Sequence, residues 1–481
     1  MAGPRVRRIN IPLRGVALAS GGMMFALLGN VTYIQGFRAD ALNADPRNQR
    51  TLIARFDNPR GDILLSDGTV VARSRHAGGQ YAYRREYPYG RMYAPVTGYL
   101  ALYGSTGIER AEEDYLSGSD PKVKVRSLIK GDPPSGATVT LTVDPRAQRA
   151  AYESLRATGQ PGAVVAINPA TGAILAMASY PTYDPNDYTT TDSARLARVD
   201  KSYRKDPGRP LLNRALNQTY PPGSTFKVVT SAAGLGSGDY QPSTDVSAPT
   251  QLRLPGTTTY LRNSGGEPCG DGTPTFALAF QLSCNTAFAN VGLDLGQDVL
   301  RAQADAFGFD DDSLSVPMPV SPSIYPAGLD KAQTAMSAIG QFDVRATPLQ
   351  IAMISAAIGN GGELMRPYLV DEVRLGDGSL VDTADPEEYR QAVSGDVAEQ
   401  LTSMMVSVTE PGGTGAAAAI PGVEVAAKTG TAENEGSDHA VFTAFAPARS
   451  PVVAVGVLLE HGGFGGVAAA PIARAVIQSL L

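Results

Sequence analysis

The sequence predicts an α+β protein that a single N-terminal helix attaches to a membrane. The first observation is a mostly apolar run from Gly15 to about Phe37. The second is a pair of apolar strand candidates, Ala163–Ile167 and Ala173–Ala178, which flank a Pro/Gly turn and indicate a β-hairpin. The third is a C-terminal order of strand, strand, strand and helix, over Glu424–Thr431, Ala440–Ala446, Val452–Leu459 and Ala469–Leu481.

The composition fits a globular protein of two or three domains and argues against several functions. The chain has 481 residues, of which 43% are hydrophobic and 18% charged. Its net charge of -6 disfavours nucleic acid as the main partner. The 3 histidines and 2 cysteines are scattered and form no His-Glu-x-x-His or Cys-x-x-Cys pattern, so a zinc site is not expected.

The apolar run is long enough to cross a membrane, since roughly 22 residues at about 1.5 Å each span a hydrocarbon core of about 30 Å. We therefore expect residues 1–38 to be a cytoplasmic tail and a single-pass anchor in the cell membrane, with the bulk of the chain outside the cytoplasm. The alternative is a signal peptide cleaved near Ala39–Ala41, but the run is long for such a peptide. The cytoplasmic side is indicated by the arginines that precede the run: Arg5, Arg7, Arg8 and Arg14.

The chain between the anchor and the β-hairpin indicates a separate, loop-rich α+β module over residues 39–157. Residues 58–72 contain two short strand candidates joined by an Asp-Gly turn. Val139–Val143 alternates as a strand, and an Asp-Pro pair then opens a helix over residues 144–155. Nothing in this module combines a nucleophile with a base.

Residues 158–481 are expected to form a second domain. Its stretch 182–212 is polar and is predicted to be a loop. The tripeptide Ser283–Asn285 is expected inside a helix. Four helices are predicted from apolar periodicity and from start and stop signals: one from Ser224, Thr275–Leu295, Leu349–Ile358, and Asp396 to about Val408 behind a Ser394 cap.

The candidate reactive groups are Ser224 and Lys227. A Pro-Pro-Gly stop precedes the serine and predicts a helix that begins at or near it. On that helix the hydroxyl and the amine share one face, so the lysine can act as a base if burial or another cation keeps it neutral. The Ser-x-x-Lys pattern occurs 4 times, and an ordinary helix cap is the alternative interpretation of Ser224.

Two further motifs that follow Ser224 and Lys227 in the chain argue against a chance match of the Ser-x-x-Lys pattern. Ser224–Lys227, Ser283–Asn285 and Lys428–Thr431 follow one another, and Ser-x-Asn and Lys-Thr-Gly each occur once in the chain. This is the motif set of active-site serine β-lactamases and penicillin-binding proteins. Nearly all of the chain resembles class B penicillin-binding proteins, most closely the penicillin-binding protein A type of actinobacteria. Other matching segments are Arg60–Ile63, Gly107–Glu109, Val165–Pro169, Asn213–Ala215 and Thr347–Gln350.

The resemblance implies a penicillin-binding transpeptidase domain, similar to serine β-lactamases, with a five-stranded antiparallel sheet flanked by helices, behind a dimerisation or pedestal module. It implies that Ser224 attacks the penultimate D-alanine of a peptidoglycan stem peptide and forms an acyl-enzyme. Lys227 would be the base, kept neutral by burial and by Lys428. Ser283 would pass a proton to the leaving D-alanine, and Asn285 would orient Lys227 and hold the substrate amide.

The Lys-Thr-Gly motif is expected to bind the end of the substrate. By the same resemblance, Lys428, Thr429 and Thr431 would bind the terminal carboxylate in a charge-assisted contact. The backbone N–H groups of Ser224 and Thr431 would form the oxyanion hole. Gly430 would let its strand approach the substrate closely.

The resemblance also implies the partners. They are stem peptides on a lipid-linked precursor polymer, and β-lactam antibiotics that acylate the serine. No glycosyltransferase module is recognised before residue 155. We therefore expect a membrane glycan polymerase as a partner, contacted by the anchor and the first module. No metal, organic cofactor or nucleic acid is implied.

Two further predictions concern residues near the motifs. Cys269 and Cys284 lie 15 residues apart outside the membrane, where disulfides persist, so we expect a bridge. Two free buried thiols are the alternative. His439 is expected to be a strand residue near the site rather than a catalyst.

Three other functions share the fold. A β-lactamase of class A would need a Glu-x-x-x-Asn pattern between the second and third motifs, and the sequence has none there. A penicillin-sensing receptor or a division scaffold would acylate once and stop. A D,D-carboxypeptidase differs only in using water as the acceptor, and the class B resemblance favours transpeptidation.

Overall fold

One helix at the N-terminus is long and apolar enough to cross a membrane. It spans Asn10–Tyr33 and continues as a π-helical turn over Ile34–Arg38. An 18-residue window of Leu13–Arg38 has a mean hydropathy of 1.4. The candidate cleavage site Ala39–Ala41 lies outside the described residues. The computed structural model describes residues 10–38, 56–78, 81–130, 135–266, 268–434 and 436–481.

A six-stranded sheet forms the core of the first module. The predicted strands in residues 58–72 and 139–143 are confirmed within it, and the Asp-Gly turn places Gly68 at a φ of 83°. However, two of its strands come from residues 370–383, so the sheet is not confined to residues 39–157 as expected. In spatial order the strands are Leu380–Thr383, Val370–Arg374, Thr138–Leu141, Ile63–Leu64, Val70–His76 and Tyr83–Glu86.

The second sheet is five-stranded and wholly antiparallel, which confirms the fold class. All of its strands were predicted from apolar runs, and their observed bounds differ from the predicted ones by one or two residues. Helix Pro348–Gly359 covers one face. In spatial order the strands are Ala426–Ala432, His439–Ala446, Val453–Leu459, Gly162–Ile167 and Ile174–Tyr180.

Two helices from distant parts of the chain cover the other face of this sheet. They are Pro145–Thr158, whose N-terminus Asp144 caps as predicted, and the C-terminal helix Ala470–Leu480. The buried residues Ala147 and Leu155 belong to the core between these helices and the sheet. By packing, the first of these helices lies with the second domain, although the sequence analysis placed it in the first module.

The polar stretch 182–212 is not the loop that was predicted. Helix Ser193–Lys205 lies within it, and Asp192 caps the helix by accepting hydrogen bonds from two backbone N–H groups. Leu196 is buried and Tyr203 stacks on Tyr188 with ring centroids 5.9 Å apart. The helix was missed because only a narrow apolar stripe, flanked by charged residues, faces the protein.

The remaining helices and strands surround the two sheets, and those predicted from Leu349 and Asp396 are confirmed. The longer helices are Pro121–Lys130, Lys227–Ser237, Asn285–Leu295, Gln297–Ala306 and Gly395–Ser407. The shorter ones are Ala94–Thr97, Gly107–Ala111, Glu113–Ser117, Arg214–Asn217, Phe276–Gln281, Lys331–Ser337 and Gly465–Ala468. Small two-stranded sheets pair Leu100–Ala101 with Gly104–Ser105, Gln251–Arg253 with Tyr260–Arg262, and Glu363–Met365 with Glu388–Gln391.

Candidate active site

Ser224 lies in a tight turn that precedes a buried helix. Gly223–Phe226 form this 3₁₀ turn, which we call the serine turn, and the α-helix itself begins at Lys227. The turn packs directly on the strand that carries the Lys-Thr-Gly motif. Gly223 has a φ of 52°, and a Cβ there would lie 2.6 Å from the carbonyl oxygen of Thr431. Only glycine fits this position, so the contact between turn and strand depends on it.

Ser283 lies at a break between two helices, which corrects the prediction of one continuous helix over Thr275–Leu295. The helices Phe276–Gln281 and Asn285–Leu295 meet at Ser283, whose φ is 59°. Inside a helix its carbonyl would be used by the N–H four residues later. At the break, this carbonyl instead accepts a hydrogen bond from Lys227 Nζ at 2.7 Å.

Lys227 is fully buried beneath the serine turn. Besides the Ser283 carbonyl, its Nζ contacts Asn285 Oδ1 at 2.8 Å and the Ser283 hydroxyl at 3.4 Å, and it lies over the Phe288 ring. Burial, and secondly the positive charge of Lys428, hold the pKa of Lys227 well below its usual value. The amine is therefore favoured in its neutral form, as a proton acceptor must be.

A second buried lysine reaches the same hydroxyl from the five-stranded sheet. Lys428 Nζ lies 2.8 Å from Ser283 Oγ and 3.1 Å from the carbonyl oxygen of Thr429. Burial lowers the pKa of Lys428 to about 7. Ser283 Oγ thus lies between two amines, only one of which is strongly biased toward neutrality.

A cleft of about 720 Å³ opens above these buried amines. Ser224, Ser283, Asn285, Thr429 and Thr431 line it, so the structure brings the three motifs to one cavity. This volume is typical of a small-molecule or peptide site. Another cavity, of about 590 Å³, lies between the first module and the second domain and contains none of the motif residues.

Gly430 allows its strand to lie close to the serine turn, whereas the sequence analysis expected it to allow a close approach to the substrate. A Cβ at this position would lie 2.9 Å from the Pro222 carbonyl oxygen and 3.0 Å from Thr225 Cγ2. The strand thus comes close to the serine turn, rather than only to the space that a substrate would occupy.

Three residues that the sequence analysis did not select support the motifs. Thr414 shares a hydrogen bond between hydroxyls with Thr429 at 2.8 Å. The carbonyl of Arg262 accepts from Asn285 Nδ2 at 3.1 Å, and Asn263 accepts from the backbone N–H of the residue after Asn285. None of them belongs to a recognisable motif, so only the fold reveals them.

The structure joins Cys269 to Cys284 in a disulfide, with Cα atoms 5.9 Å apart. Both residues are buried. Because Cys284 stands between Ser283 and Asn285, the bridge ties this motif to the loop that precedes it.

Known proteins match this chain over nearly its full length. A family model described as the penicillin binding protein transpeptidase domain matches residues 162–478, and one for the penicillin binding protein A dimerisation domain matches residues 60–139. The chain is 46% identical to peptidoglycan D,D-transpeptidase PbpA of Mycolicibacterium smegmatis, across 98% of this chain and 99% of the relative. It is 43% identical, with the same coverage, to PbpA of Mycobacterium tuberculosis.

Solved structures give the same result. The ceftriaxone acyl-enzyme complex of penicillin-binding protein A from M. tuberculosis superposes with a TM-score of 0.86 at 42% identity, covering 89% of this chain and all of that chain. The resemblance predicted from the three motifs is confirmed. The chain belongs to the penicillin-binding protein transpeptidase family.

Proposed function

We propose that this protein is a peptidoglycan D,D-transpeptidase and that its acyl-enzyme forms on Ser224. The observation that carries the proposal is the convergence of Lys227 and Lys428 on the Ser283 hydroxyl, next to the serine turn. The names of its PbpA relatives support the same activity. The roles that follow are part of this proposal.

Acylation begins when Ser224 Oγ attacks the carbonyl carbon of the penultimate D-alanine and gives its proton to neutral Lys227. A neutral amine has two N–H donors. Those of Lys227 are directed to the Ser283 carbonyl and to Asn285 Oδ1, at 2.7 and 2.8 Å, which leaves the nitrogen lone pair for the serine proton. Asn285 therefore orients the base as well as lining the cleft.

The oxyanion of the tetrahedral intermediate then accepts hydrogen bonds from the backbone N–H groups of Ser224 and Thr431, each worth about 3 kcal/mol. When the C–N bond breaks, Ser283 gives its proton to the leaving D-alanine amine. Ser283 regains a proton from protonated Lys227, 3.4 Å away, which returns that lysine to its neutral form. Lys428, in its charged form, binds the terminal carboxylate together with Thr429 and Thr431.

Deacylation transfers the acyl group to the amine of a second stem peptide. That amine attacks the ester carbonyl, loses a proton and forms the amide cross-link, while the bond to Ser224 Oγ breaks and the hydroxyl regains a proton. A β-lactam acylates the same oxygen. The acyl-enzyme formed by a β-lactam is expected to persist.

We further propose that this site lies outside the cytoplasm, on a chain of three parts. Residues 1–38 carry the anchor, residues 39–157 a non-catalytic dimerisation or pedestal module, and residues 158–481 the transpeptidase domain. The long apolar helix supports a single-pass membrane location, with the cleft facing the peptidoglycan. A membrane glycan polymerase supplies the polymer that is cross-linked.

The test is the intact mass of the detergent-solubilised chain after incubation with penicillin, with Ser224→Ala as the matched variant. We expect one stable penicilloyl adduct on the wild type and none on the variant. A wild type that consumes penicillin without retaining an adduct would be a β-lactamase and would contradict the proposal. Transfer of a stem-peptide or thioester donor to an amine then separates a transpeptidase from a carboxypeptidase, which transfers it to water, and from a sensor, which stops after acylation.

A further inference from the structure

His439 lies at a junction of three segments that border the cleft. It begins the strand next to the Lys-Thr-Gly strand, directly after residues 433–434 and 436–438, which we call the connecting loop. Its ring packs edge-on against Tyr220, with centroids 5.6 Å apart, on the segment that leads to the serine turn. The ring also packs against that of His461, with centroids 5.1 Å apart. His461 belongs to the turn that leads to the cleft-lining residues Phe464–Val467.

The hydrogen bonds of His439 determine which ring nitrogen carries its proton. The backbone N–H of His461 lies 3.1 Å from His439 Nδ1, and a backbone N–H can only donate. Asn434 Nδ2 lies 3.0 Å from the same nitrogen. The amide of Asn434 is held in this orientation because Nδ2 also donates to the Ser437 carbonyl at 2.9 Å. His439 Nδ1 is therefore a bare acceptor shared by two donors, and the proton of the neutral ring is on Nε2.

His461 has the opposite tautomer. Its Nδ1 lies 3.0 Å from the carbonyl oxygen of Ser437, which can only accept, so this nitrogen must carry a proton. The connecting loop and the turn at His461 are thus joined by a donor and an acceptor with fixed roles. A backbone hydrogen bond from Gly463 to Asp438, at 2.9 Å, joins the same two segments.

We propose that neutral His439 is a positioning residue for acylation of the serine. Its Nδ1 joins the connecting loop to the turn at His461 and keeps both against the end of the Lys-Thr-Gly strand. Glu433 and Asp438 of that loop line the cleft, so its placement shapes the surface that a ligand meets. The inference extends the proposed function and depends on it for the catalytic readout only.

Protonation of His439 removes this arrangement. A proton on Nδ1 would face two donors, so both hydrogen bonds would be lost. Burial and the nearby His461 hold the pKa of His439 below its usual value, while Glu460 and Asp438 act in the opposite direction. The neutral ring therefore persists until the solution is more acidic than a free histidine would require. Among the described residues, other charged or titratable groups on or beside the surrounding segments are Tyr220, Glu433, Arg209 and Arg214.

Two substitutions separate the acceptor from the shape of the ring. His439→Asn offers an amide oxygen near the position of Nδ1, and this oxygen does not become protonated between about pH 5 and 8. His439→Phe keeps a ring against Tyr220 but has no acceptor. The full-length, detergent-solubilised variants are compared with wild type by the second-order rate constant of acylation with fluorescent penicillin across this pH range, and by their melting temperatures.

We expect His439→Asn to acylate at the wild-type rate near neutral pH and to lose less of that rate on acidification than the wild type does. We expect His439→Phe to acylate about tenfold more slowly at neutral pH, which corresponds to one or two lost hydrogen bonds. Equal rates for wild type and His439→Phe would overturn the proposal. So would equal losses in both variants with an unchanged pH profile, because such a result indicates a purely structural role.

The tautomer is tested without any catalysis. The chain has only 3 histidines, so protein labelled with ¹⁵N in its histidine rings gives three pairs of ring-nitrogen resonances, and His439→Asn identifies the pair of interest. A bare Nδ1 and a protonated Nε2 at neutral pH support the proposal, and the reverse tautomer overturns it. If wild type fails to acylate at all, the proposed function fails, while the tautomer experiment still decides this inference.

Discussion

Lys428 donates a hydrogen bond from Nζ to the Ser283 hydroxyl over 2.8 Å, across 145 residues of sequence. The opposite side of that hydroxyl faces Lys227 at 3.4 Å. Each of the three motifs thus contributes one polar group to a short chain of contacts beneath the cleft. The relationship is chemical as well as structural, because one amine is suited to accept a proton and the other, in its charged form, to bind a carboxylate.

Lys227→Met should lower the second-order rate constant of acylation by penicillin by roughly 10²- to 10⁴-fold, the usual contribution of a general base. The buried methionine keeps the apolar volume, so a melting curve should show a folded protein. The matched control is Lys205→Met, which alters the lysine of another Ser-x-x-Lys pattern at an exposed position. A Lys227→Met rate within about tenfold of wild type would exclude Lys227 as the base.

The rate of acylation should depend on pH in a bell-shaped manner. The rate rises as Lys227, whose pKa lies well below its usual value, loses its proton. It falls above about pH 7 as Lys428, with a pKa of about 7, loses the charge that binds the ligand carboxylate. Lys428→Arg keeps its charge, so its profile should lack the alkaline decrease even if the rate is lower. A wild-type rate that continues to increase with pH would contradict these roles.

Loss of the bridge between Cys269 and Cys284 should destabilise the protein. For a separation of 15 residues, the expected decrease in the free energy of unfolding is about 3 kcal/mol. Denaturant unfolding of a double variant that carries Cys269→Ser and Cys284→Ala, compared with wild type, measures this value. Thiol labelling of the denatured wild-type chain should detect no free thiol before reduction and two after it. Labelling of both cysteines without reductant would show that they are free thiols.

Gly223→Ala should weaken the contact between the serine turn and the Lys-Thr-Gly strand. The new Cβ would lie 2.6 Å from the Thr431 carbonyl oxygen, at a backbone φ of 52°. We expect a destabilisation of at least about 1 kcal/mol and slower acylation. Gly236→Ala is the control, since nothing lies within 4 Å of a Cβ there and the residue is in the following helix. Equal stability and rate in the two variants would show that the turn tolerates a side chain.

The sequence was most informative where chemistry limits the choice of residue. The order Ser224, Ser283, Lys428 indicated that three distant segments meet, because the proposed reaction needs a nucleophile, a proton relay and a cation at one place. The strands of the five-stranded sheet were also predictable, since each is a short and almost continuous apolar run. Each motif and each apolar run is a short stretch of consecutive residues, so it can be recognised without knowledge of the fold.

The features that were missed depend on partners elsewhere in the fold. The break at Ser283 is invisible to helical periodicity because apolar residues continue at helical spacing on both sides of it. At this break the buried amine of Lys227 binds the freed carbonyl, a contact that only the fold reveals. Likewise, no local pattern shows that Val370–Arg374 pairs with Thr138–Leu141, and the tautomer of His439 follows only from the groups around its ring.

The six-stranded sheet has a consequence for exchanging parts between related proteins. Val373 pairs with Val139 and Val370 with Leu141, so residues 370–383 form the edge of a sheet that begins near residue 63. A chimera joined at a single point near residue 157 would match this edge with a foreign strand, and would leave unpaired backbone groups where the two registers differ. A successful exchange must therefore carry residues 370–383 together with the N-terminal segment, as two coupled pieces.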